Sequence, residues 1–220
     1  MPASLDHDDI PDAYQSLWNE TLQSLPAACR GVLENVYVQF DRPHQRGLAS
    51  GRAIILYAGF DLSDPAERDE ARALFVHEFG HITDIGCIQG RSPVPSAFVD
   101  GLDPVPSDDP SVSFYSISWE SSTKRRSDSR STDFASGYAA SDPFEDFAET
   151  YAYFALQEPA FAARAAENPV IAQKYAWMKA YAFADGAPNA LGQSLWKGIV
   201  PWDVTLLPYA WSGGLVALTN

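Results

Sequence analysis

The chain has 220 residues, 46% of them hydrophobic and 13% aromatic, and its 15 basic and 29 acidic residues give a net charge of −14. This length and apolar content suffice for one globular domain with a sizeable core, and they exclude a largely disordered chain. The acidic balance argues against a nucleic-acid partner, because phosphate binding requires a basic footprint. Since no uninterrupted apolar run reaches the length of a bilayer crossing, we also expect no membrane span.

One helix and two strands are predicted before residue 60. Residues 9–30 carry apolar side chains at helical spacing. Residues 35–40 and 53–58 are predicted strands, separated by a polar turn region over residues 42–51. The second strand could pair with an extended peptide at the edge of its sheet, with an ordinary core strand as the alternative.

The next predicted element is a helix of about 20 residues. Asp64 is a suitable N-cap and Pro65 a suitable first helical residue, and acidic residues crowd the first turns. Apolar side chains recur at helical spacing as far as Phe79, and Gly86 is placed to end the helix.

The second half of this helix carries the pentapeptide His77-Glu78-Phe79-Gly80-His81, which has the form H-E-x-x-H. Histidines four residues apart point in the same direction from a helix, so both imidazoles can bind one zinc ion. Glu78 lies on a neighbouring part of the helix, from which it can act as general base for a water activated by the metal. The alternative is a core or surface helix that carries two histidines for other reasons.

A catalytic zinc site needs a third protein ligand, and the remaining histidines are poorly placed to supply it. His7 and His44 lie upstream in polar segments, and no histidine follows His81. We therefore expect the third ligand to be a carboxylate from a later part of the chain.

Residues 87–136 form a long insert rich in serine, proline and aspartate. It contains a basic cluster, Lys124-Arg125-Arg126 followed by Arg130, for which we expect a solvated loop, with substrate contact or processing as the alternative. Cys29 and Cys87 lack the spacing of a zinc thiolate pair, so we expect them to be structural, and they could form a disulfide.

A later helix offers two candidate carboxylates. Asp142 is a suitable N-cap and Pro143 a suitable first residue, and Glu145 and Glu149 then share one face beside an apolar stripe. Their spacing favours neither as the third metal ligand. The glutamate that does not bind the metal is expected to hydrogen-bond the outer ring nitrogen of a histidine. The alternatives are a capping box between Asp142 and Glu145 and a solvated helix face for Glu149.

The C-terminal part of the chain is predicted to be helical and then irregular. The Glu145 helix is expected to end near Gln157, and helices over residues 159–167 and 169–185 follow. Residues 186–220 are apolar but are interrupted by proline and glycine, which predicts an irregular packed tail. We expect residues 1–220 to form a single domain.

Two short blocks resemble the glu-zincin metallopeptidases, in the branch of anthrax lethal factor and the Pro-Pro endopeptidases. The first block, residues 77–84, reads H-E-F-G-H and ends on an aspartate. The second, residues 138–149, places a tyrosine seven residues before a glutamate that opens E-x-F-A-E. The resemblance implies an α+β, zincin-like fold, predominantly helical with a small mixed β-sheet, whose active-site helix carries the H-E-F-G-H sequence.

The same resemblance implies roles for the site residues. It implies one catalytic Zn²⁺ ion with three protein ligands, His77, His81 and Glu145. It also implies that Glu78 is the general base and that the hydroxyl of Tyr138 stabilises the oxyanion of the tetrahedral intermediate.

Two further carboxylates are expected to support the ligands from outside the metal sphere. The resemblance implies this role for Glu149. Asp84 is expected either to hydrogen-bond a ligand or to form a salt bridge elsewhere. The sequence separation of 64 from His81 to Glu145 exceeds that typical of the group, so a preference for bonds between prolines is not carried over.

Three classes of function follow from these residues. The leading prediction is a zinc-dependent endopeptidase that hydrolyses peptide bonds in a peptide or protein substrate. The alternatives are a catalytically inactive zincin-fold binding or regulatory protein, and a structural zinc protein or a helical protein without metal. We expect a monomer. Residues 1–6 lack a signal-peptide core, which fits either a cytoplasmic protein or an exported one whose signal peptide has been removed, and the resemblance favours export.

Overall fold

The computed structural model describes residues 10–39, 46–57, 59–184, 186, 190–191 and 200–211. Within these residues the chain is an α+β protein with six α-helices and small sheets, as predicted. The helices are α1 (Asp12–Ser24), α2 (Ala27–Arg30), α3 (Pro65–His81), α4 (Pro110–Ser118), α5 (Pro143–Glu167) and α6 (Pro169–Trp177). The strands are β1 (Asn35–Val38), β2 (Gly47–Ser50), β3 (Ala53–Leu56), β4 (Pro95–Asp100), β5 (Asp103–Pro106), β6 (Trp119–Ser121), β7 (Lys124–Arg125), β8 (Ala190–Leu191) and β9 (Ala210–Trp211). Of the helices described, none has both the length and the apolar character needed to cross a bilayer.

The prediction of one continuous helix over residues 9–30 is wrong, because the structure has two helices there. The helix α1 ends at Ser24, and Leu25 has extended backbone angles, φ −77° and ψ 164°. Proline disfavours helical angles in the residue before it, so Pro26 separates α1 from the short helix α2. The aromatic face of α1 packs in the core, where Trp18 stacks 6.2 Å from Phe75 of α3.

The largest sheet has three strands in the order β1-β3-β2, with β1 parallel and β2 antiparallel to β3. The prediction of a turn throughout residues 42–51 is wrong, because β2 lies there; residues 41–45 lie outside the described part. Since β3 is paired on both edges, it has no edge left for a peptide, and among the described strands β2 forms the outer edge of this sheet next to α3.

The helix α3 begins and ends close to the predicted positions. The side chain of Asp64 accepts a hydrogen bond from the Ala66 amide at 2.8 Å, which caps the first turn. Beyond His81 the chain continues in wide helical turns over Ile82–Cys87. A disulfide between Cys29 and Cys87 ties these turns to α2 across a sequence separation of 58 residues.

The stretch from residue 87 to residue 136 is folded against the core. It contains the hairpin β4–β5, the helix α4 and the hairpin β6–β7. Five of its aromatic side chains are at most 3% exposed: Phe98, Phe114, Tyr115, Trp119 and Phe134. Lys124, Arg125 and Arg126 are exposed, as expected for the basic cluster.

The helix α5 consists of two helical segments joined at a kink, as the sequence predicts. The kink is at Gln157, whose backbone angles are φ −132° and ψ 28°, two residues before Pro159, and the second segment ends at Glu167. The helix α6 packs on α5 through a buried ion pair in which Lys174 Nζ lies 2.7 Å from Asp146 Oδ2. In the described part of the predicted tail, β9 pairs with β8 and a short 3₁₀ helix covers Val204–Leu206.

Candidate metal centre

Three of the predicted site residues converge on one point between α3 and α5. The Nε2 atoms of His77 and His81 lie 3.3 Å and 3.4 Å from the same carboxylate oxygen, Oε2 of Glu145. The three potential ligand atoms all lie within 4.8 Å of one another. Two adjacent turns of α3 present the imidazoles, whose ring centroids are 5.1 Å apart, and the first turn of α5 presents the carboxylate.

This donor set fits a zinc ion. Two imidazole nitrogens and one carboxylate oxygen are the ligand types of catalytic zinc sites, which leave a fourth position for water or substrate. Oε2 of Glu145 is buried and makes no regular hydrogen bond in the described part of the chain, although the two imidazole Nε2 atoms lie 3.3 Å and 3.4 Å away. A buried carboxylate oxygen without a partner is costly in a protein interior, and a metal ion would satisfy it.

The local electrostatics couple the three groups strongly. Burial alone would lower the pKa of His77, but the adjacent carboxylates of Glu145 and Glu149 outweigh burial and raise this pKa well above its usual value. Burial would likewise raise the pKa of Glu145, but the two imidazoles hold it well below its usual range. A metal ion would therefore have to displace protons shared by these groups, which makes metal affinity depend on pH.

Glu78 lies between the two histidines on α3 and faces β2. A Cβ atom at position 47 would lie 2.2 Å from Oε1 of Glu78, so any other residue there would displace the Glu78 side chain from its present position. The Ala49 backbone amide hydrogen-bonds the carboxylate, and burial raises the pKa of Glu78 against the opposing effect of His77 and His81. Glu78 is thus a fixed carboxylate with increased basicity, the property that a general base requires.

Tyr138 joins the same cluster from a 3₁₀ turn that precedes α5. Its hydroxyl donates a hydrogen bond of 2.8 Å to Oε1 of Glu145, and its ring lies 6.0 Å from that of His77. Burial and the nearby carboxylates raise the pKa of Tyr138, so the hydroxyl remains a hydrogen-bond donor at neutral pH. The Glu145 side chain therefore reaches Tyr138 and the histidines, and not the N-cap amide that a capping box would require.

Glu149 lies one turn further along α5 and is fully buried, so the alternative of a solvated helix face is wrong. Its Oε1 atom lies 2.9 Å from Nδ1 of His77. Its Oε2 atom accepts hydrogen bonds from the Ser136 hydroxyl and, at 3.0 Å, from the Val204 backbone amide. Sequence reasoning missed Ser136 and Val204, and a backbone amide leaves no sequence signal.

Asp84 is buried three residues after His81 but points to a different partner. Both of its carboxylate oxygens accept hydrogen bonds from the Tyr115 hydroxyl, at 2.6 Å and 2.7 Å. Burial raises the pKa of Asp84 to about 7. Among the hydrogen bonds of the described residues, those of Asp84 go to α4 and not to an imidazole, because Asp84 lies in the wide turns after α3. The other two histidines, His7 and His44, lie outside the described residues.

A cleft with a volume of about 570 Å³ opens above the cluster. The edge strand β2 lines one side, and the N-terminus of α5 with Tyr138 lines the other. Trp202, which is 73% exposed, stands at its rim. Of the charged residues that the structure describes in its walls, most are acidic: Glu78, Asp100, Asp142, Glu145 and Asp203 accompany the arginine Arg46. The arrangement combines a potential metal site with an open cavity, which suits a reaction on a bound substrate.

The chain matches no protein-family model, no curated protein and no solved structure.

Proposed function

We propose that the protein is a zinc-dependent endopeptidase with a zincin-like active site. The observation that carries the proposal is the convergence of His77, His81 and Glu145 within 4.8 Å, beside the buried carboxylate of Glu78 and an open cleft. The ligand cluster alone would not support an enzyme, because structural zinc sites also gather such ligands and are closed by four of them. The base and the cavity beside the cluster are what favour catalysis.

The residues of the chain have distinct roles in this reaction. When bound, Zn²⁺ would supply Lewis-acid polarisation of a water molecule and of the scissile carbonyl. Glu78 takes the proton of the attacking water and delivers it to the leaving amine. The Tyr138 hydroxyl, released from Glu145, donates a hydrogen bond to the developing oxyanion. Glu149 holds the outer nitrogen of His77 and so fixes the orientation of that ring.

The strand β2 is the proposed docking edge for an extended substrate peptide. Among the described strands it pairs with β3 alone, and residues 46–49 line the cleft. Main-chain pairing with such an edge provides affinity without dependence on substrate sequence. A peptide laid along β2 would pass Gly47 and Ala49, the two positions at which β2 contacts Glu78.

The proposal is tested by Glu78→Gln, with Glu67→Gln as the control on the same helix but away from the cleft. Wild type and both variants are dialysed, their zinc content is measured, and cleavage of a diverse peptide library is followed with and without a chelator. We expect all three proteins to retain zinc and Glu78→Gln to lose cleavage by about 10²- to 10⁴-fold. Wild-type cleavage by Glu78→Gln, or a wild type without zinc, would contradict the proposal. Zinc retention without any cleavage by the wild type would favour the inactive binding protein.

A further inference from the structure

Residues 201–205, which we call the C-terminal strap, run beside the loop that carries Tyr138. The Gly137 amide donates a hydrogen bond of 2.6 Å to the Pro201 carbonyl, and the Tyr138 amide donates one of 2.8 Å to the Trp202 carbonyl. A Cβ atom at position 137 would lie 2.7 Å from Cε3 of Trp202, so a side chain there would displace the indole of the strap. The strap therefore fixes the backbone of Tyr138.

The strap also reaches the histidine side of the site through one carboxylate. The Val204 amide donates to Oε2 of Glu149, and Oε1 of Glu149 lies 2.9 Å from Nδ1 of His77. Because Glu149 is fully buried, water does not replace a missing partner easily, and the Ser136 hydroxyl is its other donor. A shift of the Val204 amide would therefore be transmitted to the ring of His77.

Arg46 secures the strap to the rest of the site. Its Nη1 atom donates to the carboxylate of Asp203 and, at 2.9 Å, to Oγ1 of Thr205, while its Nη2 atom donates to Oε1 of Glu70 on α3 at 2.7 Å. Arg46 directly precedes β2, so a single side chain joins the strap, the edge strand and the histidine helix. Asp203 in turn accepts from the Thr205 amide at 2.8 Å and begins the 3₁₀ helix Val204–Leu206.

We propose that the backbone amide of Val204 is a positioning group for His77, acting through Glu149, and that the strap is a built-in part of the metal centre. The inference rests on the proposed function for its metal. Hydrogen bonds to the outer nitrogen of a metal-binding imidazole fix its tautomer and direction, and their loss typically weakens metal affinity by about 10- to 100-fold.

Val204→Pro removes this one donor with little disturbance of the backbone. Val204 is the first residue of its 3₁₀ helix, a position that tolerates proline. Asp203 has φ −148° and ψ 128°, extended angles that a following proline also allows. Val204→Ala is the matched control, because it keeps the amide and removes more of the buried side chain.

Two measurements decide the inference: zinc affinity by competition with a chromogenic chelator, and the His77 ring resonances of the metal-free protein by ¹H–¹⁵N NMR. We expect Val204→Pro to bind zinc up to about 10-fold more weakly than Val204→Ala, less than on loss of the imidazole's own partner, and to shift the His77 Nδ1–H signal. Equal weakening in both variants would indicate lost packing and overturn the inference. If the wild type binds no zinc, the proposed function fails, and an unchanged His77 signal in Val204→Pro would separately overturn the inference.

A second variant covers the case in which Val204→Pro does not fold. Asp203→Ala releases the strap from Arg46 at a partly exposed ion pair. We expect a smaller loss of zinc affinity in the same direction and a shifted His77 signal. Wild-type values for both quantities in Asp203→Ala, together with an unfolded Val204→Pro, would overturn the inference.

Discussion

Gly80, which lies between the two histidines of α3, is in direct contact with Ala148 of α5. A Cβ atom at position 80 would lie 3.0 Å from the Cα atom of Ala148 and 3.2 Å from Cβ of Tyr151. These neighbours belong to a packed helix and cannot move as the end of a flexible side chain could. The absence of a side chain at Gly80 therefore sets the distance between α3 and α5, and with it the distance from the histidines to Glu145.

Gly80→Ala is expected to destabilise the protein by about 1–3 kcal/mol, because the added methyl group overpacks the helix contact. Zinc affinity should fall as well, since Glu145 moves away from the imidazoles. Urea unfolding and chelator competition measure the two effects. Gly31→Ala is the control: no atom lies within 4 Å of its added Cβ, so we expect a stability equal to or above that of the wild type. Wild-type zinc affinity in Gly80→Ala would contradict this account of the site.

The two glutamates of α5 are expected to respond differently to the same substitution. Glu145→Gln replaces the proposed ligand oxygen, so zinc affinity should fall to the level of a two-histidine site. Glu149→Gln leaves the ligands in place and alters only the partner of His77 Nδ1. Such a change typically weakens metal affinity by about 10- to 100-fold. Chelator competition at one pH ranks the two variants, and the reverse order would make Glu149 the ligand.

The sequence was sufficient to predict the histidine helix but not the choice between Glu145 and Glu149. The first depends on local signals, namely the Asp64 cap and apolar residues at helical spacing. The second depends on how α5 crosses α3, because residues four apart on a helix face the same way. The crossing is set by the Gly80 contact, which is a property of the folded chain.

Two further parts of the site could not be read from the sequence for related reasons. The strand β2 is short and contains small residues such as Gly47 and Ala49, so its conformation is determined by pairing with β3 and not by propensity. Val204 contacts Glu149 through a backbone amide across 55 residues, and any non-proline residue carries that group. Both contacts depend on tertiary structure alone.

Tyr138→Phe is expected to lower kcat by about 10²-fold while zinc affinity and KM stay close to wild type, because the hydroxyl acts on the oxyanion and not on the bound substrate. Burial raises the pKa of Tyr138, so its ionisation should add no limb to the pH–rate profile near neutrality. Steady-state kinetics on a peptide found in the library measure both parameters. Tyr209→Phe, remote from the cleft, is the control. A change in KM alone would assign Tyr138 to substrate binding.

Asp84 makes the stability of the fold depend on pH, with a predictable sign. Burial raises its pKa from 3.8 to about 7, so between these values the folded state binds a proton that the unfolded state has lost. The contribution of Asp84 to the free energy of unfolding is therefore fully present below pH 4 and declines as pH rises to about 7, by at most about 1.4 kcal/mol per pH unit.

Asp84→Asn keeps an acceptor for the Tyr115 hydroxyl but cannot ionise. We expect the free energy of unfolding of the variant, relative to wild type, to increase from pH 4 to pH 7 and then level off. Urea unfolding across this range measures the difference, with Asp103→Asn at the exposed start of β5 as the control. Parallel curves for wild type and Asp84→Asn would show that Asp84 ionises normally in the folded protein.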